Sequence, residues 1–243
     1  MSTISEASFG NKFAKGQQIL DFIKTLSNYN PPNPAFGQES LSTLLQQIDE
    51  ANKKVASAAG LLAQARAVRT DSYHGKEGIK KRCAMIRDFV GVLPAGKVSS
   101  AYLNIQKETQ KMINYKKPSK KEESAGDGEA SIKRTVSTAE TGFGSLLQGA
   151  KNILEIIKNL PEYAPVNPLI SIEGISQFIN NLETANQSVN SLLFAYSNAV
   201  AKRQELYEGE QGLRVCFQGI KSFIAANYGK SGAEFKEVSK LKY

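Results

Sequence analysis

The sequence is poor in the side chains that carry most metal chemistry. Among its 243 residues there is no tryptophan, and there are two cysteines and one histidine, His74. A structural zinc site takes four Cys or His ligands, and a di-iron helical bundle needs a Glu-x-x-His motif on each of two helices. We therefore predict no metal and no cofactor.

Motifs of nucleophilic and phosphate-binding sites are also missing. There is no Gly-x-Ser-x-Gly and no His-Glu-x-x-His. Gly229-Lys230-Ser231 matches the end of a P-loop, but Ile224 stands where the motif requires its first glycine. Cys83 and Cys216 fall on apolar stripes and are predicted to be buried thiols rather than a disulfide. The chain is therefore predicted not to be an enzyme.

Long apolar runs and two-residue alternation are absent as well. No run approaches the roughly 18–20 apolar residues that cross a bilayer, so membrane insertion is not expected. Residues 1–6 lack the charged and apolar regions of a signal peptide, which favours a cytoplasmic setting. Without alternation there is no basis for a sheet, and Ala, Leu, Gln, Lys and Glu dominate. The predicted fold class is all-α.

What the sequence does contain is a long internal repeat. Residues 9–92 match residues 143–226 at 25 of 84 positions without a gap, and positions paired in this alignment are called repeat equivalents. Residues 19–34 read ILDFIKTLSNYNPPNP, and residues 153–168 read ILEIIKNLPEYAPVNP. A repeat of this length decides the architecture, so we predict a tandem duplication.

Apolar periodicity predicts three helices in the first copy. They cover residues 9–28, 37–93 and 99–114, and the second copy repeats the last two at 171–227 and 231–241. Gly96 and Gly229 are expected to end the long helices. An a/d seam keeps its phase for about seven heptads in both long segments, which favours one unbroken helix of about 85 Å in each copy.

Two architectures fit this pattern. Unbroken long helices would form an elongated, pseudo-two-fold, antiparallel four-helix bundle, in which the first helix of one copy meets the tail helix of the other. Breaks at Gly75/Gly78 and Gly209/Gly212 would instead give two four-helix bundles. The predicted domains are a helical repeat at 8–115, a linker rich in charge, Ser and Gly at 116–134, and a second helical repeat at 135–243.

Charge separates the two copies. Residues 1–117 hold 17 Lys/Arg against 9 Asp/Glu, whereas residues 135–243 hold 10 of each. The basic first repeat could take an anionic partner, through candidate residues Lys53, Lys54, Lys80, Lys81 and Arg82, or could simply be solvated. Few aromatics interleave with these residues, so stacking of bases is not indicated.

Four polar residues interrupt the predicted seam: Arg69, Lys76, Arg203 and Glu210. They could line a polar pocket, or they could fix helix register by pairing with acidic neighbours. Asp71 with His74, matched by Glu205 and Glu208, is the one acidic and histidine-containing group near the seam centre. A solvated helix face is the simpler interpretation of that group.

The repeat corners are formed by Tyr29, Pro31, Asn33 and Pro34, and by Tyr163, Pro165, Asn167 and Pro168. Proline removes a backbone donor and disfavours helix in the residue before it, so each corner is predicted to end a helix. A peptide-binding corner is the functional alternative.

The order of these motifs resembles that of uncharacterised tandem-repeat helical proteins of Bacteroidota. Each copy places Tyr-x-Pro-x-Asn-Pro before a long helix that contains Arg-x-x-x-Tyr, at Arg69 and Tyr73 and at Arg203 and Tyr207. The second copy continues to Tyr-Gly-Lys-Ser at 228–231, whereas the first has Pro94-Ala95-Gly96-Lys97. The resemblance implies helical tandem architecture and no activity.

The expected function is a helical scaffold that binds a protein partner. The alternative is an anion-binding module that uses the basic first repeat, with nucleic acid as partner. The sequence does not indicate an oligomeric state.

Overall fold

The computed structural model describes residues 6–113 and 142–243, and every regular element in them is a helix. The linker predicted at 116–134 lies outside these residues. The α-helices are α1 (Glu6–Lys24), α2 (Gln38–His74), α3 (Ile79–Val90), α4 (Ser100–Ile113), α5 (Phe143–Lys158), α6 (Ile172–Glu208), α7 (Leu213–Tyr228) and α8 (Ala233–Lys240). Short 3-10 helices lie at Pro34–Phe36, Gly96–Val98 and Pro168–Ile170.

The prediction of unbroken helices over 37–93 and 171–227 is wrong. α2 ends at His74 and α6 ends at Glu208, and new helices begin at Ile79 and Leu213. Gly78 and Gly212, which cap α3 and α7, have extended backbones with ψ of 169° and 172°. A Cβ at Gly78 would lie 2.9 Å from the Tyr73 carbonyl carbon, so the tight turn has room only for glycine.

The heptad phase survives this turn because it reports burial rather than continuity. Ile79, Cys83, Ile86 and Val90 on α3 are all buried. They therefore keep the 3-4 spacing of a core-facing helix even though α3 is a separate element.

The chain divides into two compact units. Among the described residues, unit 1 contains residues 6–62 and 192–243, and unit 2 contains residues 63–113 and 142–191. Unit 1 therefore combines α1 and the start of α2 with the end of α6, α7 and α8. Unit 2 combines the end of α2, α3 and α4 with α5 and the start of α6. These units differ from the predicted division into 8–115 and 135–243, because each one takes helices from both repeats.

Each unit has its own apolar core. In unit 1 the fully buried side chains include Ile23, Ile48, Tyr207, Phe217 and Ile220. In unit 2 they include Tyr73, Ile86, Ile105, Leu146 and Ile157. Tyr73 and Tyr207 lie outside the predicted seam, yet both have no exposed surface.

Glycine follows both α3 and α7, but with a different backbone conformation in each copy. Gly229, with φ of +75°, follows the last residue of α7, as predicted. α3 ends earlier than predicted, at Val90, and Gly91 caps it. Gly96, with φ of +57°, instead begins the 3-10 helix that precedes α4.

Hydrogen bonds within each repeat corner hold its turn in place. Asn33 and Asn167 cap the short 3-10 helices, each accepting a hydrogen bond from the backbone N–H two residues later. The Tyr29 hydroxyl donates to the Phe36 carbonyl at 2.7 Å, and the Tyr163 hydroxyl donates to the Ile170 carbonyl at 2.6 Å. These contacts support the interpretation of helix-terminating corners.

Removing the two corner hydroxyls should have unequal effects. We expect Tyr163→Phe to lower the free energy of unfolding by about 1–3 kcal/mol, because the Tyr163 bond is buried and its carbonyl would lose its donor. Tyr29 is only partly buried, so Tyr29→Phe should cost only about 0.5–1.5 kcal/mol. Guanidinium denaturation followed by circular dichroism measures both. Equal losses would contradict the difference in burial.

A glycine accommodates an aromatic ring beside the first corner. A Cβ at Gly219 would lie 2.3 Å from the Phe36 ring. In unit 2 the repeat equivalents of Gly219 and Phe36 are Met85 and Ile170. Unit 1 thus combines a bulky ring at the corner with no side chain on the helix, whereas unit 2 has two side chains of similar size at these positions.

Adding a methyl group at Gly219 should therefore destabilise unit 1. We expect Gly219→Ala to cost about 1–3 kcal/mol by overpacking against Phe36. Gly60 is the matched control: it lies within α2, and a Cβ there meets nothing within 4 Å. Gly60→Ala should stabilise the protein by about 0.5–1 kcal/mol. Thermal unfolding followed by calorimetry distinguishes these opposite signs, and stabilisation by Gly219→Ala would refute the packing argument.

Candidate functional site

An arginine, a phenylalanine, a tyrosine and an asparagine form a polar cluster in unit 1. The guanidinium of Arg203, on α6, lies over the Phe9 ring at 4.2 Å from its centroid. The Phe9 ring meets the Tyr207 ring edge-on, with centroids 4.9 Å apart. Arg203 is only 4% exposed and Tyr207 is fully buried. The cluster therefore joins α1 to α6 through stacked and edge-on contacts.

Hydrogen bonds fix the orientation of Asn52 in this cluster. The Tyr207 hydroxyl donates to the Phe9 carbonyl at 3.0 Å, so its oxygen is left to accept. Asn52, on α2, donates from Nδ2 to that oxygen at 3.2 Å. A reversed amide would place two acceptors face to face. Asn52 Oδ1 is consequently turned away, and no donor among the described residues reaches this buried atom.

Unit 2 contains the same four residue types at the repeat-equivalent positions. Arg69 lies over the Phe143 ring at 4.1 Å, and Tyr73 meets that ring edge-on at 4.9 Å. Asn186 donates from Nδ2 to the Tyr73 hydroxyl at 2.8 Å, and burial raises the Tyr73 pKa. Each cluster thus takes its Phe and Asn from one repeat and its Arg and Tyr from the other.

Sequence reasoning singled out the two arginines but missed the asparagines. The signal was available, because Arg, Phe, Tyr and Asn are each identical in both copies. Apolar periodicity does not identify a polar residue such as Asn52 beside an apolar seam. The identity of Asn52 and Asn186 in the repeat alignment would have identified both asparagines.

A cleft of about 460 Å³ opens beside the unit 1 cluster. We call it the unit 1 cleft; its lining residues are Phe9, Gly10, Asn52, Val55, Ala56, Ala59, Tyr196 and Arg203. The repeat equivalents of Ala56 and Ala59 are Asn190 and Leu193, which are larger. The small side chains of α2 therefore make room for the cleft.

The predicted polar seam is partly wrong. Arg69 and Arg203 lie in the two clusters, and Arg203 lines the cleft. Lys76 and Glu210 instead lie exposed in the glycine turns that end α2 and α6. Lys76 and Glu210 do not belong to a helical seam, because α2 ends at His74 and α6 ends at Glu208.

The candidate anion-binding residues do not form one surface within either unit. Lys53 pairs with Asp49 at 2.6 Å, which raises the Lys53 pKa, and Lys54 is exposed; both belong to unit 1. Lys80, half-buried, and Lys81, exposed, belong to unit 2. The basic excess of the first repeat is thus divided between the units.

Arg82 is a correction to the predicted patch, because it is only 8% exposed. It donates from Nε to the Glu77 carbonyl at 2.8 Å and from Nη1 to the Leu169 carbonyl at 2.9 Å. Its guanidinium also lies over the Phe178 ring at 4.0 Å. Arg82 therefore holds the second repeat corner against α3 and does not face an external anion.

Asp71 and His74 line a shallow depression in unit 2 with Arg66 and Thr70. Burial, with a contribution from Lys80, lowers the His74 pKa. The matching carboxylates of Glu205 and Glu208 form ion pairs with Lys202 and Lys12 respectively. Residues 6–113 and 142–243 contain no group of three or more metal-binding side chains.

Comparisons with protein-family models, with curated proteins and with solved structures find no match. The resemblance to Bacteroidota repeat proteins stays a prediction. No helix in the described part of the chain combines the length and apolar character needed to cross a bilayer.

The two buried thiols should be unreactive in the folded protein. Burial raises the pKa of Cys83 to about 12 and that of Cys216 to about 11, so at pH 8 almost no thiolate is present to attack a disulfide reagent. We expect less than a tenth of the thiol to react with Ellman's reagent under native conditions over several minutes, and both to react in guanidinium. Rapid native reaction of either thiol would show that its site opens readily.

Proposed function

We propose that this chain is a non-enzymatic helical scaffold that binds a protein partner through an uncharged surface of unit 1. Its candidate residues lie in two stretches that contain no Asp, Glu, Lys or Arg, residues 55–62 of α2 and 192–201 of α6. The observation that carries the proposal is the exposure of large apolar side chains there: Phe194 is 69% exposed, Leu61 50% and Leu193 45%.

An uncharged, exposed helix surface with a prominent aromatic residue is typical of an interface. Solvated helix faces usually carry charged residues, whereas interface cores are depleted of charge and enriched in aromatics. Covering the exposed Phe194 ring with a partner surface would bury apolar area and so favour binding. The absence of charge also indicates the partner chemistry, because a highly charged partner would find no counter-charge in these two stretches. We therefore propose an uncharged, apolar partner face.

The proposed scaffold is a tandem duplication that forms antiparallel helical bundles. Support comes from features that recur at repeat-equivalent positions: the Arg-Phe-Tyr-Asn clusters, the tyrosine-closed corners and the glycine turns. Arg82 and Cys216 are also repeat equivalents, and they donate to the equivalent carbonyls of Leu169 and Ala35. Such repetition of contacts supports two bundles assembled by one plan.

Anion or nucleic-acid binding by the basic first repeat has less support. It would rest on Lys54 and Lys81, which belong to different units, and on Lys53, which is ion-paired.

The proposed setting is the cytoplasm. Free, buried Cys83 and Cys216 support that setting, since cytosolic thiols stay reduced.

Substitution at Phe194 tests the proposal. A partner captured from source-cell lysate by the full chain is purified, and its affinity is measured by calorimetry. We expect Phe194→Asp to weaken binding about 30-fold or more, because a truncated aromatic anchor typically costs at least about 2 kcal/mol. Sedimentation velocity of the chain alone distinguishes a second copy as the partner, since Phe194→Asp would then dissociate a dimer.

The matched control is Val166→Asp in unit 2. Val166 is fully exposed and apolar but lies in a repeat corner outside the proposed surface. This variant should bind within about twofold of the wild type. Equal binding by wild type and Phe194→Asp, for every partner and for self-association, would refute the proposed surface.

A further inference from the structure

We propose that the partner of the uncharged unit 1 surface is a second copy of this chain, and that the Phe194 ring of each copy enters the unit 1 cleft of the other. This inference rests on the proposed function, because it names the partner that the exposed Phe194 binds. The contact is reciprocal, as in a two-fold homodimer, where one rotation pairs the same two surface features twice.

Phe194 is the protruding part of this contact. Its side chain is 69% exposed on α6. Residues three and four positions away are its neighbours on a helix surface. Here these neighbours are exposed and uncharged, and all are smaller than phenylalanine: Asn190, Ser191, Ser197 and Asn198. The ring is therefore a prominent apolar group that an apolar recess on a partner would bury.

The unit 1 cleft is a recess of suitable size and chemistry. Its apolar lining residues are Phe9, Val55, Ala56 and Ala59. A cavity of about 150 Å³ is enough for a benzene ring, so a cleft of about 460 Å³ has room for the ring of Phe194. Among the described residues that line the cleft, Arg203 alone is charged, and it is only 4% exposed. The cleft therefore presents almost no charge to an entering ring.

The ring and the cleft lie close together in unit 1. Phe194 stands two positions before Tyr196, which lines the cleft, and this spacing is about 3 Å along the axis of α6. Phe194 does not line the cleft of its own chain. One two-fold rotation can therefore bring each ring to the cleft of the other copy.

Electrostatics favour a second copy at this surface over a highly charged partner. The chain has a formal net charge of +8, so two copies repel each other across most of their surfaces. This repulsion is weakest where neither copy carries charge. An acidic protein would instead be attracted to exposed lysines such as Lys54 and Lys81, which lie outside the uncharged stretches.

Both the ring and the cleft are departures from the repeat. The repeat equivalent of Phe194 is Gly60, which has no side chain, and the equivalents of Ala56 and Ala59 are the larger Asn190 and Leu193. The first copy thus supplies the small residues of the cleft, and the second copy supplies the ring. Each feature can be removed by a substitution that leaves the other unchanged.

Sedimentation equilibrium on the full chain tests the inference. We expect the wild type to form a reversible dimer with a Kd below about 100 μM. Phe194→Ala removes the ring, and Ala59→Leu fills the cleft at an exposed helix position. Each variant should dimerise at least tenfold more weakly, because both reciprocal contacts are lost. Circular dichroism checks that each variant is folded.

A mixture of the two variants distinguishes insertion into the cleft from contact between two apolar patches. The Ala59→Leu chain keeps its ring, and the Phe194→Ala chain keeps its cleft. A mixed dimer therefore retains one ring in one cleft, whereas a dimer of either variant alone retains none. With one variant fluorescently labelled, we expect the mixed dimer to form at least about tenfold more tightly than either variant dimer.

Leu103→Ala is the matched control, because Leu103 is 52% exposed but lies on α4 in unit 2. This variant should dimerise within about twofold of the wild type. Raising the salt concentration from about 50 mM to 500 mM should leave the dimer as tight or tighter, because salt screens the repulsion between two positively charged copies. Weakening of the dimer by salt would indicate ion pairs and contradict an uncharged interface.

Three other results would overturn the inference: a monomeric wild type at about 100 μM, wild-type dimerisation in either folded single variant, or a mixture that associates no better than the variants alone. These results differ from failure of the proposed function. A chain that stays monomeric but loses a captured protein partner in Phe194→Asp would keep the proposed surface and exclude the second copy.

Discussion

A buried tyrosine hydroxyl at the junction of three helices is the contact on which each unit depends. In unit 1 the Tyr207 hydroxyl of α6 accepts from Asn52 of α2 and donates to the Phe9 carbonyl of α1. A fully buried hydroxyl is tolerable only when it is satisfied, so these helices must hold their places for the bond to exist. Stacking of Arg203 on Phe9 brings a permanent charge to the same junction. A polar junction of this kind specifies one arrangement of helices more strictly than apolar packing alone, because a shifted helix would leave several buried groups without partners.

The sequence predicted the fold class and most helices, since periodicity and proline corners act locally. It did not predict that α2 and α6 stop at His74 and Glu208. A heptad pattern reports which residues face a core, and α3 and α7 continue to face a core after the glycine turns. The decisive fact was steric: Gly75 and Gly78 lie so close to neighbouring backbone that a Cβ would clash. These short distances can be seen only in the folded turn. The sequence showed the paired glycines as a possible break but gave no distances.

The candidate site was less accessible to sequence reasoning than the fold. Arg69 and Arg203 stood out because they interrupt an apolar stripe, but Asn52 and Phe9 are ordinary residues when considered singly. Their importance comes from pairing across the repeats: in both clusters one repeat gives Phe and Asn, and the other gives Arg and Tyr.

Composition also led to a wrong expectation about where the basic residues lie. The basic excess of the first repeat suggested one surface, whereas Arg82 is buried and the lysines belong to separate units, because the units do not follow the order of the chain.

The two copies share the residues of their buried junctions, whereas several exposed positions differ between them. A change at Tyr73 or Tyr207 would leave a buried donor or acceptor unsatisfied, so both copies keep the same cluster. A change at an exposed position costs little, and there the copies differ: Ala56 and Ala59 stand opposite Asn190 and Leu193 in the repeat alignment. In unit 1 the shared polar junction lies beside a cleft lined by Ala56 and Ala59. Arg203 therefore makes the same contact with Phe9 that Arg69 makes with Phe143, and it also lines an open space.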